Sequence, residues 1–441
     1  MSSASQIDFG RLSVTSPKRT RGGASGWHGF FPYYAGFPTS FAHNLIASAG
    51  LPEGAVILDP WNGSGTTTFA ASRLGYDALG VDINPVMVMV ARARLLPPSE
   101  ASSIRPLARD VASKASALAD AMIPHDPLLV WFDQSSARLV RAIEASIRVL
   151  LIDCPADRPL AADLSGVSGT AATLYVALFS VVRDLAASLR SSNPTWVRKP
   201  KAGSDKLAVD GADLLSRFIS KCSEMADALS LEATAQTLFD RGNGNVFLQV
   251  ANTTTERPFF GKADLIVTSP PYCTRIDYAA STRVELAVLA PMTATTVEDL
   301  GRAMIGSTRV PTSQVRKSAA FGETCLTFLE ELRRHPSKAS SGYYYRTHVD
   351  YFRKMVGSLR NATSSLSADG GAILVVQDSH YKEIHNDLPT IITEIAAGCG
   401  LQLRRREDFA IGQTLAGVNP KARKYRQVST ATEAVLCFSK E

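Results

Sequence analysis

Three short stretches of this chain hold residue types that chemistry uses. The first is Asp59-Pro60-Trp61-Asn62-Gly63-Ser64-Gly65-Thr66, a carboxylate followed by a glycine-rich turn. Positions without side chains let backbone approach a bound molecule closely. The dinucleotide fingerprint G-x-G-x-x-G would need glycine where Thr68 stands, and the phosphate loop would need a lysine that is absent. The turn is therefore built for close approach without matching a pyrophosphate cradle. The second is Asp82, which ends a short apolar run and is placed to accept from the two hydroxyls of a ribose. The third is Ser269-Pro270-Pro271-Tyr272, directly after Leu265 to Thr268. Two successive prolines fix φ and delete two backbone donors, so the chain can neither continue as strand nor begin a helix there. The result is a rigid corner presenting a hydroxyl, free carbonyls and an aromatic ring. An ordinary strand-to-loop turn gives the same pattern, so the corner acquires meaning only from its surroundings.

Those surroundings predict an open α/β sheet. Thr39 or Ser40 caps a helix to about Ala49, Ala55 to Leu58 is a strand, and Thr66 to Leu74 reads as a helix stopped by Gly75. Leu79 to Val81 is a second strand, and a helix follows from Pro85 to about Leu96. This is a βαβα unit of the doubly wound type, in which ligands sit at the carboxyl ends of the strands. Between residues 97 and 243 no strand is expected; helices are predicted over 101–122, 134–151, 171–190 and 210–239. Strands resume at Val246 to Val250 and Leu265 to Thr268, then at Ala372 to Val376, 401–406 and Ala434 to Phe438, with helices over 347–366 and 387–398. The segment 273–340 gives no clear element. Residues 1–26, rich in Ser, Gly and Arg, read as a flexible basic arm, and the aromatic run Trp27 to Phe37 as a packed loop.

The chain has 441 residues, 45% of them apolar, which is ordinary for a globular protein and long enough for two domains or one domain with an insertion. No apolar run is long enough to span a membrane, so no membrane partner is expected. Six scattered cysteines with no Cys-x-x-Cys pair argue against a disulfide framework or a metal site and predict a reducing, cytoplasmic setting. His380 and His385 have no third ligand in view, so no metal is expected. The net charge is +6, and the basic residues cluster. Trp196, Arg198 and Lys199 combine an aromatic with cations in a non-helical stretch, suited to phosphates and to a wedge; a tryptophan packed between helices gives the same pattern. Arg302, Arg309 and Arg346 lie in a basic segment after the proline corner, the expected wall of a nucleic-acid cleft.

Taken together, the Asp59–Thr66 turn, Asp82 and Thr268-Ser269-Pro270-Pro271-Tyr272 resemble the S-adenosylmethionine-dependent amino-methyltransferases of DNA. That family's pattern is D-P-F-x-G-x-G-T and [DNS]-P-P-[YFW]; here Trp61 stands where Phe is usual. Phe37-Pro38 is similar to its N-terminal cofactor-pocket motif. The resemblance covers roughly residues 27–96 and 244–440 and leaves the helical stretch 97–243 as an insertion of recognition or accessory character. It implies a doubly wound, Rossmann-like methyltransferase sheet with a large helical insertion, S-adenosyl-L-methionine as cofactor, and double-stranded DNA with a flipped target base as partner. A cognate restriction or defence nuclease is implied as well. By the same resemblance Asp59, Gly63 and Gly65 line the methionine portion, with Pro60 and Thr66 of the same turn. Asp82 takes the ribose, Phe37 forms the pocket wall and Asn252 meets the adenine. Ser269, Pro270, Pro271 and Tyr272 form the catalytic corner.

An exocyclic amine is a poor nucleophile because its lone pair is delocalised into the ring. It needs alignment with the methyl donor and acceptors for its hydrogens. The Ser269 hydroxyl and the Pro270 carbonyl are such acceptors, and Tyr272 offers a face for stacking. Serine at the first position resembles the cytosine-N4 group, so N4-cytosine is favoured over N6-adenine. Cys273 is read as incidental, since a C5-cytosine enzyme places its nucleophile directly after the proline. Two other readings stay open: guanine-N2 methylation of RNA, and a non-catalytic nucleic-acid-binding subunit.

Overall fold

The computed structural model describes residues 7–18, 30–31, 36–118, 123–152, 164–190, 196–201, 206–235, 244–258, 261–273, 278–311, 316–411 and 431–441. Seven strands form one sheet: β1 (Val56–Asp59), β2 (Asp77–Asp82), β3 (Val246–Val250), β4 (Ala263–Thr268), β5 (Leu366–Gln377), β8 (Leu401–Ile411) and β9 (Ala431–Lys440). A small hairpin, β6 (Ser379–Tyr381) and β7 (Ile384–Asn386), lies apart from it. The order is β3-β2-β1-β4-β5-β9-β8, and all neighbours pair in parallel except β9, which runs against both β5 and β8. The chain winds outward from β1 in one direction and from β4 in the other. The switch point of this Rossmann-like α/β sheet therefore lies between β1 and β4, where open sheets place their ligands. Strand β4 is buried almost throughout, as a central parallel strand covered on both faces should be.

Around the sheet lie α1 (Thr39–Ser48), α2 (Thr66–Arg73) and α3 (Pro85–Arg94). Helix α3 starts where Asn84 accepts from the Val86 N–H and Pro85 occupies the first turn, which needs no donor there. The insertion contributes α4 (Ala101–Ala117), α5 (Gln134–Leu151), α6 (Gly169–Leu185) and α7 (Gly211–Ala235). These match the expected helices, with α4 and α6 ending earlier; residues 119–122 and 236–239 lie outside the described residues. The segment that gave no clear element holds α8 (Tyr278–Ser281), α9 (Arg283–Val288), α10 (Val297–Ala303) and α11 (Glu323–Arg334). Then come α12 (Tyr345–Ser364) and α13 (Leu388–Ala397). Strand β8 outruns its expected range because antiparallel pairing with β9 gives its polar end ladder partners, and β5 starts earlier than expected, with Leu366 paired to Ala263 of β4.

Two expectations change. Residues 7–18 differ from a flexible arm: Ile7, Phe9 and Leu12 are buried on the sheet, and Arg405 Nη1 donates to the carbonyls of Phe9 and Leu12, both at 3.0 Å. Gly371 makes room for them, since a Cβ there would meet Ile7 at 2.9 Å. Residues 1–6 and 19–26 lie outside the described residues, as do Trp27 to Gly29 and 32–35 of the aromatic run. Second, the insertion is no separate body. Its apolar residues Ile104, Ile143 and Leu174 share one core with Met89 of α3 and with Val288 and Met292 after the proline corner.

Buried charges join the same parts. Arg141, fully buried, bonds Asp126 through two nitrogens (2.8 and 3.0 Å) and donates to the Val288 and Ala287 carbonyls at 2.7 and 2.8 Å, capping α9. Glu144 accepts from Arg148 at 2.8 Å and from the Tyr175 hydroxyl at 2.9 Å. Arg183 Nε reaches Glu285 at 2.6 Å. Such arrays give little net stability but are destructive to break, because a buried charge is left behind. Glu144→Ala is expected to lower unfolding free energy by about 3–5 kcal/mol, measured by chemical denaturation.

Candidate active site

The carboxyl ends of β1 and β4 open into a cleft whose empty space, counted out into open solvent, is about 1020 Å³. One wall comes from the glycine turn, and a second from Asp82 and Asn84. The third is the proline corner, with Tyr278 and Ala303 to Ile305 behind it. Of the candidate cofactor residues, Phe37, Asp59, Pro60, Gly63, Thr66, Asp82 and Asn252 line this one cleft, together with Ser269, Pro270, Pro271 and Tyr272. Gly65 does not line it. It caps α2 with a left-handed backbone (φ +78°), and a Cβ there would meet Ala91 at 2.8 Å, so glycine is required by packing rather than by ligand approach. Asn252 lines the rim, but its carbonyl oxygen is engaged by Thr254, from N–H at 3.0 Å and from hydroxyl at 2.7 Å.

Asp59, at the tip of β1, accepts from the Thr268 hydroxyl at 2.6 Å and the Trp61 N–H at 3.1 Å. Asp82, at the tip of β2, accepts from Gly63 N–H at 2.9 Å and Asn84 N–H at 2.8 Å. These bonds shape the turn and leave carboxylate lone pairs facing the cleft. Burial pushes both acids up to about 6, against hydrogen bonds that pull them down; the charge of Asp82 adds to the rise at Asp59. The cleft is lined by these two carboxylates and, among the described residues, by no lysine or arginine. That charge balance suits a cationic sulfonium and disfavours a pyrophosphate. The Trp61 indole N–H is buried without a partner among the described residues, closed off from the cleft and packed against the apolar core.

At the corner, Tyr272 donates its hydroxyl to Glu433 at 2.9 Å, Tyr351 donates to the Pro271 carbonyl at 2.7 Å, and Ser379 donates to the Cys273 carbonyl at 3.2 Å. Among the described residues no donor reaches the Pro270 carbonyl. Burial pushes the Cys273 thiol to about 12, so it carries no thiolate near neutral pH and is no nucleophile. Sequence reasoning missed Thr268, Glu433 and Tyr351 because their partners stand 209, 161 and 80 positions away. Asn84 was missed as well, although asparagine directly before Pro85 is a helix-cap signal. His380 and His385 pack ring to ring on β6 and β7, and no cluster of metal-ligating groups occurs among the described residues.

The expected nucleic-acid contacts lie outside the cleft lining. Lys199 and Arg309 converge on Glu298, at 3.9 and 3.7 Å, although 110 positions separate them. Arg302 faces Asp299 at 3.8 Å, and the Arg346 Nε is buried without a partner among the described residues. Trp196 is half-buried, and Arg198 is pinned by its backbone N–H to the Leu189 carbonyl at 2.8 Å. The basic residues Lys421, Arg423, Lys424 and Arg426 lie outside the described residues.

Both folded carboxyls sit above their ordinary value of 3.8, so the native state holds their protons more tightly. Their contribution favours the fold at low pH and is lost as pH rises from about 4 to about 6. If Asp82 takes a ribose, as the resemblance implies, ligand binding runs the other way, because only its ionised form accepts from two hydroxyls. S-adenosylmethionine affinity, measured by calorimetry, is expected to weaken by about tenfold per pH unit below pH 6, and Asp82→Asn to flatten that slope.

A model of the DNA methylase family matches residues 11–92, the span holding Phe37, the glycine turn and Asp82. The type II methyltransferase M.BsoBI of Geobacillus stearothermophilus is 44% identical over 59 residues, 13% of this chain and 12% of that protein. The type II methyltransferase M.AvaI of Nostoc sp. (strain PCC 7120) is 23% identical over 413 residues, covering 85% of this chain and 79% of that protein. Among solved structures, the rRNA methyltransferase aviRa of Streptomyces viridochromogenes aligns over 92% of this chain and 87% of that one, at 11% identity and a TM-score of 0.30. At that score the fold rests on strand order instead. No described helix is long and apolar enough to cross a membrane. The sheet's switch point, its anionic cleft and the matched N-terminal segment together support an S-adenosylmethionine-dependent DNA amino-methyltransferase.

Proposed function

We propose that the chain methylates the exocyclic N4 amine of cytosine in double-stranded DNA, as the modification activity of a restriction or defence system. The observation that carries this reading is the meeting, in one cleft, of the Asp59–Asp82 wall and the Ser269–Tyr272 corner. When bound, S-adenosylmethionine supplies an electrophilic methyl group on a positively charged sulfur. Asp59 and Asp82 hold that ligand's cationic and ribose portions, with Phe37 as the apolar wall. The corner holds the amine. The Ser269 hydroxyl and the unengaged Pro270 carbonyl accept its two hydrogens, which localises the nitrogen lone pair toward the methyl carbon. With the donor bound, attack by that nitrogen would form the N–C bond while the C–S electrons passed to sulfur, and Ser269 would relay the surplus amine proton to water.

Tyr272 recovers part of the cost of base extrusion by stacking, worth about 1–3 kcal/mol. Serine at position 269 favours cytosine; N6-adenine is the second reading, since the same corner would serve either amine. Trp196, Arg198, Lys199, Arg302, Arg309 and Arg346 are proposed to meet DNA phosphates. Support comes from the convergence of Lys199 and Arg309 on Glu298, on the segment that continues into the cleft wall at Ala303. A cognate nuclease would be the partner of such an activity.

The test is mass spectrometry of nucleosides from DNA incubated with the enzyme and labelled S-adenosylmethionine. N4-methylcytosine is expected. N6-methyladenine would overturn the base assignment, and label in RNA alone would overturn the DNA reading. Ser269→Ala combined with Tyr272→Ala is expected to abolish transfer while calorimetry still shows cofactor binding. Loss of the stack alone, in Tyr272→Ala, should cost about 5- to 150-fold in rate.

A further inference from the structure

Strand β9 carries a carboxylate that stability does not explain. Glu433 is 7% exposed and opens a run, Ala434 to Phe438, that is buried and apolar. Burying an acid is expensive unless it is paired. Glu433 forms no ion pair among the described residues; its charged neighbour Lys18 acts on it only at longer range. Its bonded partner is a neutral phenol, the Tyr272 hydroxyl, at 2.9 Å. An acid kept in a core for one uncharged hydroxyl fixes that hydroxyl's position.

We propose that Glu433 is a positioning residue for Tyr272, holding the phenol hydroxyl so that the ring plane is set for an extruded base. This rests on reading the cleft as one that methylates a flipped base. The backbone on both sides of the ring is fixed independently, by Tyr351 on the Pro271 carbonyl and by Ser379 on the Cys273 carbonyl. The Glu433 contact therefore acts on the side chain, where the Ser269 side chain also meets the Tyr272 hydroxyl, and not on the backbone of the corner. It is anchored in a rigid element: Glu433 pairs with Gln377 on β5 and Phe409 on β8. A site residue whose rotamer is locked by such support holds its geometry better than one on a loop alone. The bond also has an electronic effect. A carboxylate that accepts the phenol proton raises electron density in the ring, which favours the positive charge gathering on the amine as the N–C bond forms.

The test compares Glu433→Ala, Glu433→Gln, Tyr272→Phe and the double variant Tyr272→Phe with Glu433→Ala. Rates of methyl transfer and calorimetric cofactor binding are measured for each, on full-length protein. Glu433→Ala is expected to lower kcat by about 10- to 100-fold, the scale of a lost stacking contact, with cofactor affinity unchanged. Glu433→Gln, which keeps an acceptor oxygen, should recover most of the rate. Tyr272→Phe should match Glu433→Ala, and the double variant should be no worse than either. Equal losses for Gln and Ala in folded, cofactor-binding protein would overturn the proposal, as would additive losses in the double variant. A readout free of DNA chemistry is the 19F resonance of Tyr272 in protein labelled with 3-fluorotyrosine, assigned by its absence in Tyr272→Phe. It should move less in Glu433→Gln than in Glu433→Ala; an unmoved resonance in Glu433→Ala also refutes the positioning role. Wild-type protein that shows this 19F pattern but methylates no DNA would sink the functional reading and leave the positioning role standing.

Discussion

The Thr268 hydroxyl donating to Asp59 at 2.6 Å is the interaction on which the site depends. It joins the tips of β1 and β4, the two strands between which the winding of the sheet reverses. The glycine turn directly follows Asp59, and the proline corner directly follows Thr268. Both groups are buried, so each needs the other: a lone carboxylate there would be costly, and so would a lone hydroxyl. The Trp61 N–H satisfies the same carboxylate and bends the chain into the glycine turn. Asp82 completes the turn from the next strand by accepting from Gly63. Two acids, each bonded to backbone of the turn, thus define both its shape and its charge.

That charge is opposite in sign to the protein's surroundings. The chain is basic overall, at +6, yet the described cleft lining carries two carboxylates and no cation. On the proposed function, a polyanion would meet the outer basic residues and a cationic methyl donor the acids within. The two sets of charge can serve both ligands because fields from exposed charges are screened within about 10 Å, whereas those in a buried cleft are screened much less.

The helical insertion supports the corner instead of standing beside it. Arg141 of α5 caps α9, Arg183 of α6 bonds Glu285 within α9, and Asn84 reaches Thr282 just before it. Residues 278–292 leave the proline corner and would otherwise be held by little besides apolar contact. Buried, directional bonds from two insertion helices set where Tyr278 and Ser281 stand in the cleft wall. Such bonds specify one arrangement more than they add stability.

The sequence by itself determined the local things. Gly63 and Gly65 marked a tight turn, Pro270-Pro271 marked a rigid stop, and period and caps placed β1, β2, β4 and most helices within a few residues. It also determined which ligand classes to exclude, since Thr68 and the missing lysine rule out the phosphate-binding patterns. Packing decided the rest. Whether residues 7–18 were free or packed depended on Gly371, hundreds of positions away, leaving room on the sheet. Whether the insertion was a module or a brace depended on buried arginines whose partners no local pattern reveals. Gly65 proved a packing requirement, and Glu433 a neighbour of Tyr272, because a sheet brings β4 and β9 to opposite sides of β5 whatever their separation along the chain. Short-range sterics and hydrogen bonding write turns, caps and strands into a few consecutive residues. A bond such as Glu433 to Tyr272 exists only after the sheet has assembled, so only the tertiary structure contains it.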